Sequence, residues 1–151
     1  MEAGLWLGIG CRSGLDPAEL LRLTAEMLTA QTLSPTALAG LASLDRRAAE
    51  PALVALAAAL DLPLLSFSAA RLEHETPRLR HPSDAVFAAT GCHGVAEAAA
   101  LAAAGPAAEL LVPKIVAAGH VTFAVAGARV ALVRSRCDAD GSEASGGPDR
   151  Q

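Results

Sequence analysis

The sequence predicts an α/β fold, a three-layer α/β/α domain around a mixed, mostly parallel sheet. Three observations carry this. The apolar run Leu5–Ile9 breaks into Gly10-Cys11-Arg12-Ser13-Gly14, and an amphipathic pattern follows at once: strand, glycine turn, helix. The order then repeats, with Leu38–Ser43 as a buried strand and Pro51–Leu60 as an alanine- and leucine-rich helix. Finally, Leu110–Ile115 and His120–Ala126 are apolar runs parted by Val116-Ala117-Ala118-Gly119, a hairpin that adds antiparallel strands.

The remaining elements follow from local signals. Asp16 is placed to cap the first helix, Pro17 suits its first position, and Glu19 stands where a capping box wants an acid. Leu20, Leu23, Met27 and Leu28 recur at helical spacing and mark its buried stripe, which runs to about Ala30. Leu62–Phe67 reads as a third strand, apolar and buried. The segment Arg71–His81 is the most polar internal stretch, has no period, and is expected to be a surface loop near the sheet edge. Ser83 caps a short helix ending near Thr90-Gly91, and Gly91-Cys92-His93-Gly94 turns into an alanine-rich helix that Gly105-Pro106 stops. Ala128–Val133 is a candidate edge strand. Residues 1–134 are expected to form a single domain, and 135–151, polar and without apolar periodicity, a disordered tail.

Composition excludes several functions. At 52% hydrophobic, the 151 residues can bury a core. A net charge of −4 offers no field for nucleic acid, and the sparse aromatics (Trp6, Phe67, Phe87, Phe123) offer no base-stacking platform. Cys11, Cys92 and Cys137 are odd in number and widely spaced, without CxxC, which fits a reducing compartment. Glu2 and the lack of a basic start argue against a signal peptide, and no apolar run approaches the ~20 residues of a membrane span. The expectation is a soluble, cytoplasmic protein with no nucleic-acid or membrane partner.

Chemistry concentrates at the glycine turns. In open α/β sheets ligands bind at the carboxyl ends of the strands, and glycines such as Gly8, Gly10 and Gly14 let the backbone approach them. Arg12 lies in the first turn and Arg46 and Arg47 in the second, ahead of a helix whose dipole they oppose. The second pair is either a solvated surface feature, with Arg47 bridged to Glu50, or an anion site at a second βα turn, and Glu50 is counted among the candidate residues there. If the turns share a crevice, Gly91, His93, Glu97 and Lys114 join Cys11 and the arginines as candidates around an anionic small molecule. Gly8-x-Gly10-x-x-x-Gly14 lacks the dinucleotide spacing, and there is no P-loop. Cys11, Cys92, His93 and His120 match no metal signature, so neither a metal nor a cofactor is expected. A Cys11 nucleophile with His93 as base has no better support.

The motifs also occur in a telling order: Gly8-Ile9-Gly10-Cys11-Arg12-Ser13-Gly14, Leu41-Ala42-Ser43-Leu44-Asp45 with Arg47-Ala48-Ala49-Glu50-Pro51, Pro82-Ser83, Gly91 with Val95-Ala96-Glu97-Ala98-Ala99-Ala100, and Val112-Pro113-Lys114 with Thr122-Phe123-Ala124-Val125-Ala126. Together they resemble the cobalamin-biosynthesis family of CobE and the C-terminal domain of CbiG, from about Leu5 to Ala126. Two departures stand out: Arg47 occupies a position where the family usually has lysine, and Cys92-His93-Gly94 is idiosyncratic. The two-domain CbiG proteins are associated with opening a cobalt-precorrin lactone and releasing acetaldehyde. With no further domain ahead of Leu5, the chain is expected to be the stand-alone form of the aerobic, late-cobalt route. The resemblance implies a cobalamin-pathway protein whose ligand is a precorrin or corrinoid, an apolar macrocycle rimmed by carboxylates. Alternatives are a lactone hydrolase, or an accessory protein contacting another enzyme of the cobalamin pathway.

Overall fold

The computed structural model describes residues 4–47 and 49–145. Strands β1 (Leu5–Gly10), β2 (Leu38–Leu44), β3 (Leu64–Phe67), β4 (Glu109–Ala117) and β5 (Val121–Gly127) form a sheet in the order β3-β2-β1-β5-β4. β1 is parallel to β2, and β2 to β3, while β5 is antiparallel to both β1 and β4. The sheet is mixed as expected: the parallel half comes first in the chain, and the hairpin then places β5 against β1. Helices are α1 (Pro17–Ala30), α2 (Pro51–Leu60), α3 (Ala69–Glu73), α4 (Asp84–Thr90), α5 (Val95–Ala104) and α6 (Arg129–Ser145).

Alternation along the strands sorts side chains by size. Leu5, Leu7 and Ile9 of β1 join Leu41, Val121, Phe123 and Val125 in a core under Leu20, Leu23 and Met27 of α1 and Leu53 and Leu56 of α2. The opposite face carries Gly8, Ala42, Ala124 and Ala126, and α5 lies on it through buried Ala96, Ala98, Ala99 and Ala100. A Cβ on Gly8 would collide with the Ala96 carbonyl oxygen, so this glycine serves helix packing.

Several expectations need correction. Asp16 does cap α1, accepting the Ala18 N–H at 3.2 Å, but Glu19 faces Arg22 and His120 instead of closing a capping box. β3 is an edge strand with Leu65 exposed, not a buried one. The polar stretch 71–81 is ordered: Ser68 caps α3, a 3₁₀ turn spans Thr76–Arg78, and Glu75, 7% exposed, accepts from Arg71 and Arg78. Arg78 in turn donates to the carbonyls of Ala108, Gly105 and Leu101, at and beyond the end of α5. Long-range polar partners supply the order that no apolar period announces.

Residues 129–133 of the run expected as an edge strand are helical and open α6; a short apolar run does not by itself distinguish strand from helix. Leu132 enters the core, Ser135 Oγ accepts the Ser34 N–H, and Arg136 Nε donates to the Gln31 carbonyl. Residues 135–145 of the expected tail therefore continue α6, while 146–151 lie outside the described residues.

Candidate ligand-binding site

The parallel strands β1 and β2 end side by side, and their loops are tied together. The buried Ser43 hydroxyl donates to the Ile9 carbonyl at 2.6 Å. Beyond the strands, Arg47 Nε donates to the Cys11 carbonyl at 3.0 Å, and the Gly14 N–H donates to Glu50 at 2.9 Å. Gly14 has φ +81°, a conformation that favours glycine, so the first turn needs it for geometry as well as for space.

The opposite wall is organised by Glu97 in the first turn of α5. Only 2% exposed, its carboxyl group accepts the N–H groups of Arg80 and His81 on one oxygen and of Lys114 on the other. Lys114 can reach it because the β4–β5 register slips between Val112 and Ile115, where Pro113 interrupts the ladder. One side chain thus fixes two backbone segments on either side of an opening.

The opening is a cleft of about 250 Å³ lined by Gly10, Cys11, Arg12, Arg47, Glu97 and Lys114 among others. α4 adds Val86 and Thr90, α5 adds Val95 and Ala96, and His81, His120 and Thr122 complete it. Burial and the charge of Glu50 push the Cys11 thiol up from its ordinary value, against the opposing pull of Arg47, so it stays a neutral wall group.

Of the residues singled out in the sequence, Gly10, Cys11, Arg12, Arg47, Glu97 and Lys114 come together in this cleft. Gly14 and Glu50 pair behind it. Arg46 lines an adjoining cavity of about 130 Å³ and donates to the Ala89 carbonyl at 3.3 Å. Gly8 lies under α5, and Gly91 ends α4 with φ +91°. His93 is turned aside: its Nδ1 sits 2.8 Å from Glu73, and its ring stacks on Phe87 with centroids 4.5 Å apart. Burial would push the Glu73 carboxyl up, but its hydrogen bonds with His93 override this and hold it below the ordinary carboxylate value. The Cys11–His93 dyad is therefore not assembled.

His81, Thr90 and Thr122 were not site candidates from the sequence, and His120 was weighed there only as a metal ligand. No local pattern marks them: His81 arrives through the Glu97 tether, and His120 through the β4–β5 turn, where Nδ1 lies 2.7 Å from the Ala118 carbonyl. Among the described residues no His, Cys, Asp and Glu side chains group to hold a metal, and no single helix is long and apolar enough to cross a membrane.

Architecture and cleft define an α/β domain whose basic opening sits at the carboxyl ends of its parallel strands. Residues 5–126 match the family described as Cobalamin synthesis G C-terminus, and the chain belongs to that family. It is a cobalamin-biosynthesis protein of the CobE and CbiG C-terminal type. It is 46% identical over 137 residues to Protein CobE from Sinorhizobium sp, covering 91% of this chain and 88% of that one. It is also 30% identical over 122 residues to Cobalt-precorrin-5A hydrolase from Priestia megaterium; the match takes in 81% of this chain but 32% of the hydrolase. Among solved structures, the crystal structure of CobE, a protein from the cobalamin biosynthetic pathway, superposes with a TM-score of 0.77 at 37% identity, over 84% of this chain and 95% of that one. The cobalamin biosynthesis protein chiG from Agrobacterium tumefaciens gives 0.63 at 32% identity, over 81% and 96%.

Proposed function

We propose that the chain binds an anionic precorrin or corrinoid intermediate of cobalamin biosynthesis in the strand-end cleft, in the cytoplasm, without converting it. The observation that carries this is the convergence of Arg12, Arg47 and Lys114 on walls of Val86, Val95 and Ala96. Such a ligand has an apolar ring and carboxylate arms, so it needs small apolar surface beside fixed cations, and arginine can grip a carboxylate with two parallel bonds.

Binding without turnover is supported by how the acid–base candidates named from the sequence, Glu50, Glu97 and His93, are engaged. Both Glu97 oxygens accept backbone N–H groups, Glu50 accepts from Gly14, and His93 is held by Glu73 outside the cleft. A general acid or base needs a free site toward substrate. The hydrolase reading has one observation in its favour, the likeness to the Priestia megaterium hydrolase, and this chain spans about a third of that protein.

The experiment incubates purified protein with the lactone-bearing precorrin and follows affinity, ligand mass and acetaldehyde. Expected are saturable binding and no acetaldehyde. Arg12→Ala, or Arg46→Ala with Arg47→Ala, should weaken binding by about 1.5–3 kcal/mol for each buried charge-assisted hydrogen bond removed. Affinity should also fall with salt. Catalytic acetaldehyde release, abolished in Glu50→Gln or Glu97→Gln, would replace the binding reading with the hydrolase. Affinity indifferent to salt and to these arginines would remove the basic cleft as the site.

A further inference from the structure

The cleft does not enclose its proposed occupant whole. Its volume of about 250 Å³ lies below the roughly 300–1,000 Å³ that encloses drug-sized ligands, and a corrin with its acid arms exceeds those ligands. Beside it lies the cavity of about 130 Å³ that shares Gly10, Cys11, Arg47, Thr90 and Val95 with it. Among the elements common to both is α4, which gives Val86 and Thr90 to the first and Ala89 and Thr90 to the second.

Unlike its neighbours, α4 has no buried residue. Polar contacts and one ring stack hold it: the Ser83 N–H donates to the His93 carbonyl at 2.8 Å, Asp84 lies 3.5 Å from His93 Nε2, Phe87 stacks on the His93 ring, Arg46 donates to the Ala89 carbonyl at 3.3 Å, and the Thr90 hydroxyl bonds to the Cys92 backbone. A segment with so little buried apolar surface opens at low cost compared with the core helices.

We propose that α4 is a movable wall between two compartments of one site, and that its displacement frees Arg46 to take a second carboxylate of the same macrocyclic ligand. The inference rests on the reading that the cleft binds a corrin-type polycarboxylate. Arg46 now spends a donor on a neutral, exposed carbonyl; a carboxylate offers a charge-assisted, bidentate replacement. That difference is what a ligand needs to favour the open state, since a ligand shifts a conformational equilibrium only through differential contacts. A small polycarboxylate that fits the first compartment has no reason to move α4.

Cobyrinic acid, a corrin polycarboxylate, and tricarballylate, a small tricarboxylate, separate the outcomes. Affinities are measured for wild type, Arg46→Ala, Arg46→Lys, Phe87→Ala and the double variant Arg12→Ala with Arg47→Ala, with hydrogen exchange followed at residues 84–90. Arg46→Ala is expected to weaken cobyrinic acid by about tenfold or more and to leave tricarballylate unchanged, with Arg46→Lys recovering part of the loss. Cobyrinic acid, but not tricarballylate, should alter exchange in α4, and Phe87→Ala should speed its association. Binding that needs Arg12 and Arg47 yet ignores Arg46, with α4 exchange unchanged, overturns the second compartment and leaves the cleft reading standing. Failure of cobyrinic acid to bind wild type at all overturns both.

Discussion

Against α1 and α2 the sheet presents Leu5, Leu7, Ile9, Leu41 and Phe123; against α5 it presents Gly8, Ala42, Ala124 and Ala126. The first interface buries large side chains, each worth about 1.5–3 kcal/mol, and such cores absorb volume-conserving changes. The second buries little side chain per residue but brings the helix backbone close to the strands. Its product is position: the first turn of α5, with Val95, Ala96 and Glu97, is set where the cleft needs it. One face supplies stability, and the other supplies distance.

Stability is most sensitive at the large face. Phe123→Ala should cost about 3–5 kcal/mol, read as a lowered denaturation midpoint, because Phe123 is wholly buried and its neighbours cannot fully collapse. A loss under about 1 kcal/mol would mean this core is loosely packed. At the tether of the small face, Glu97→Gln replaces one accepting oxygen with an amide that donates, leaving the N–H groups of His81 and Arg80, or that of Lys114, without their acceptor. The expected loss is about 1.5–3 kcal/mol, with faster hydrogen exchange at those three residues; unchanged exchange there would refute the tether.

Gly8→Ala adds a single methyl where the Ala96 carbonyl stands, so α5 must move off the sheet at about 1–3 kcal/mol. Ligand affinity should fall with it, whereas Leu23→Met on the other face should leave affinity unchanged. Equal effects of the two would erase the distinction between the faces. The smallest effect concerns Glu75. Burial pushes its carboxyl up, but hydrogen bonds and charge from Arg71 and Arg78 prevail and hold it below its ordinary value. The stability it contributes is present above the unfolded carboxyl value near 4.5 and is lost as pH falls through the lowered folded value. With Arg71 41% and Arg78 30% exposed, screening holds the contribution to about 1 kcal/mol. Melting temperature from pH 6 to pH 3 should fall more steeply in wild type than in Glu75→Gln.

Legibility in the sequence followed the same division. The large face could be read because Leu20, Leu23 and Met27 repeat at helical spacing and Leu5, Leu7 and Ile9 alternate. That Arg12, Arg47 and Lys114 share one crevice was legible because glycine turns and the family resemblance fall on them. What stayed hidden depends on contacts between distant residues. Arg78 reaches the end of α5, which turns an aperiodic polar stretch into fixed structure. Gly8 reads equally as a ligand-approach glycine and as a packing glycine until the helix above it is placed. His93 looks available beside its glycines until Glu73 is found 2.8 Å from its ring.

The Glu97 tether has a consequence for how such a site can change over generations. It holds residues 80, 81 and 114 by their backbone amides alone, so the conformation of both segments is independent of the side chains they display. Arg80, His81 and Lys114 can be exchanged for other polar groups without rebuilding either segment. The framework thereby separates shape from chemistry, and a descendant protein could acquire a different charge pattern by point substitution at these positions.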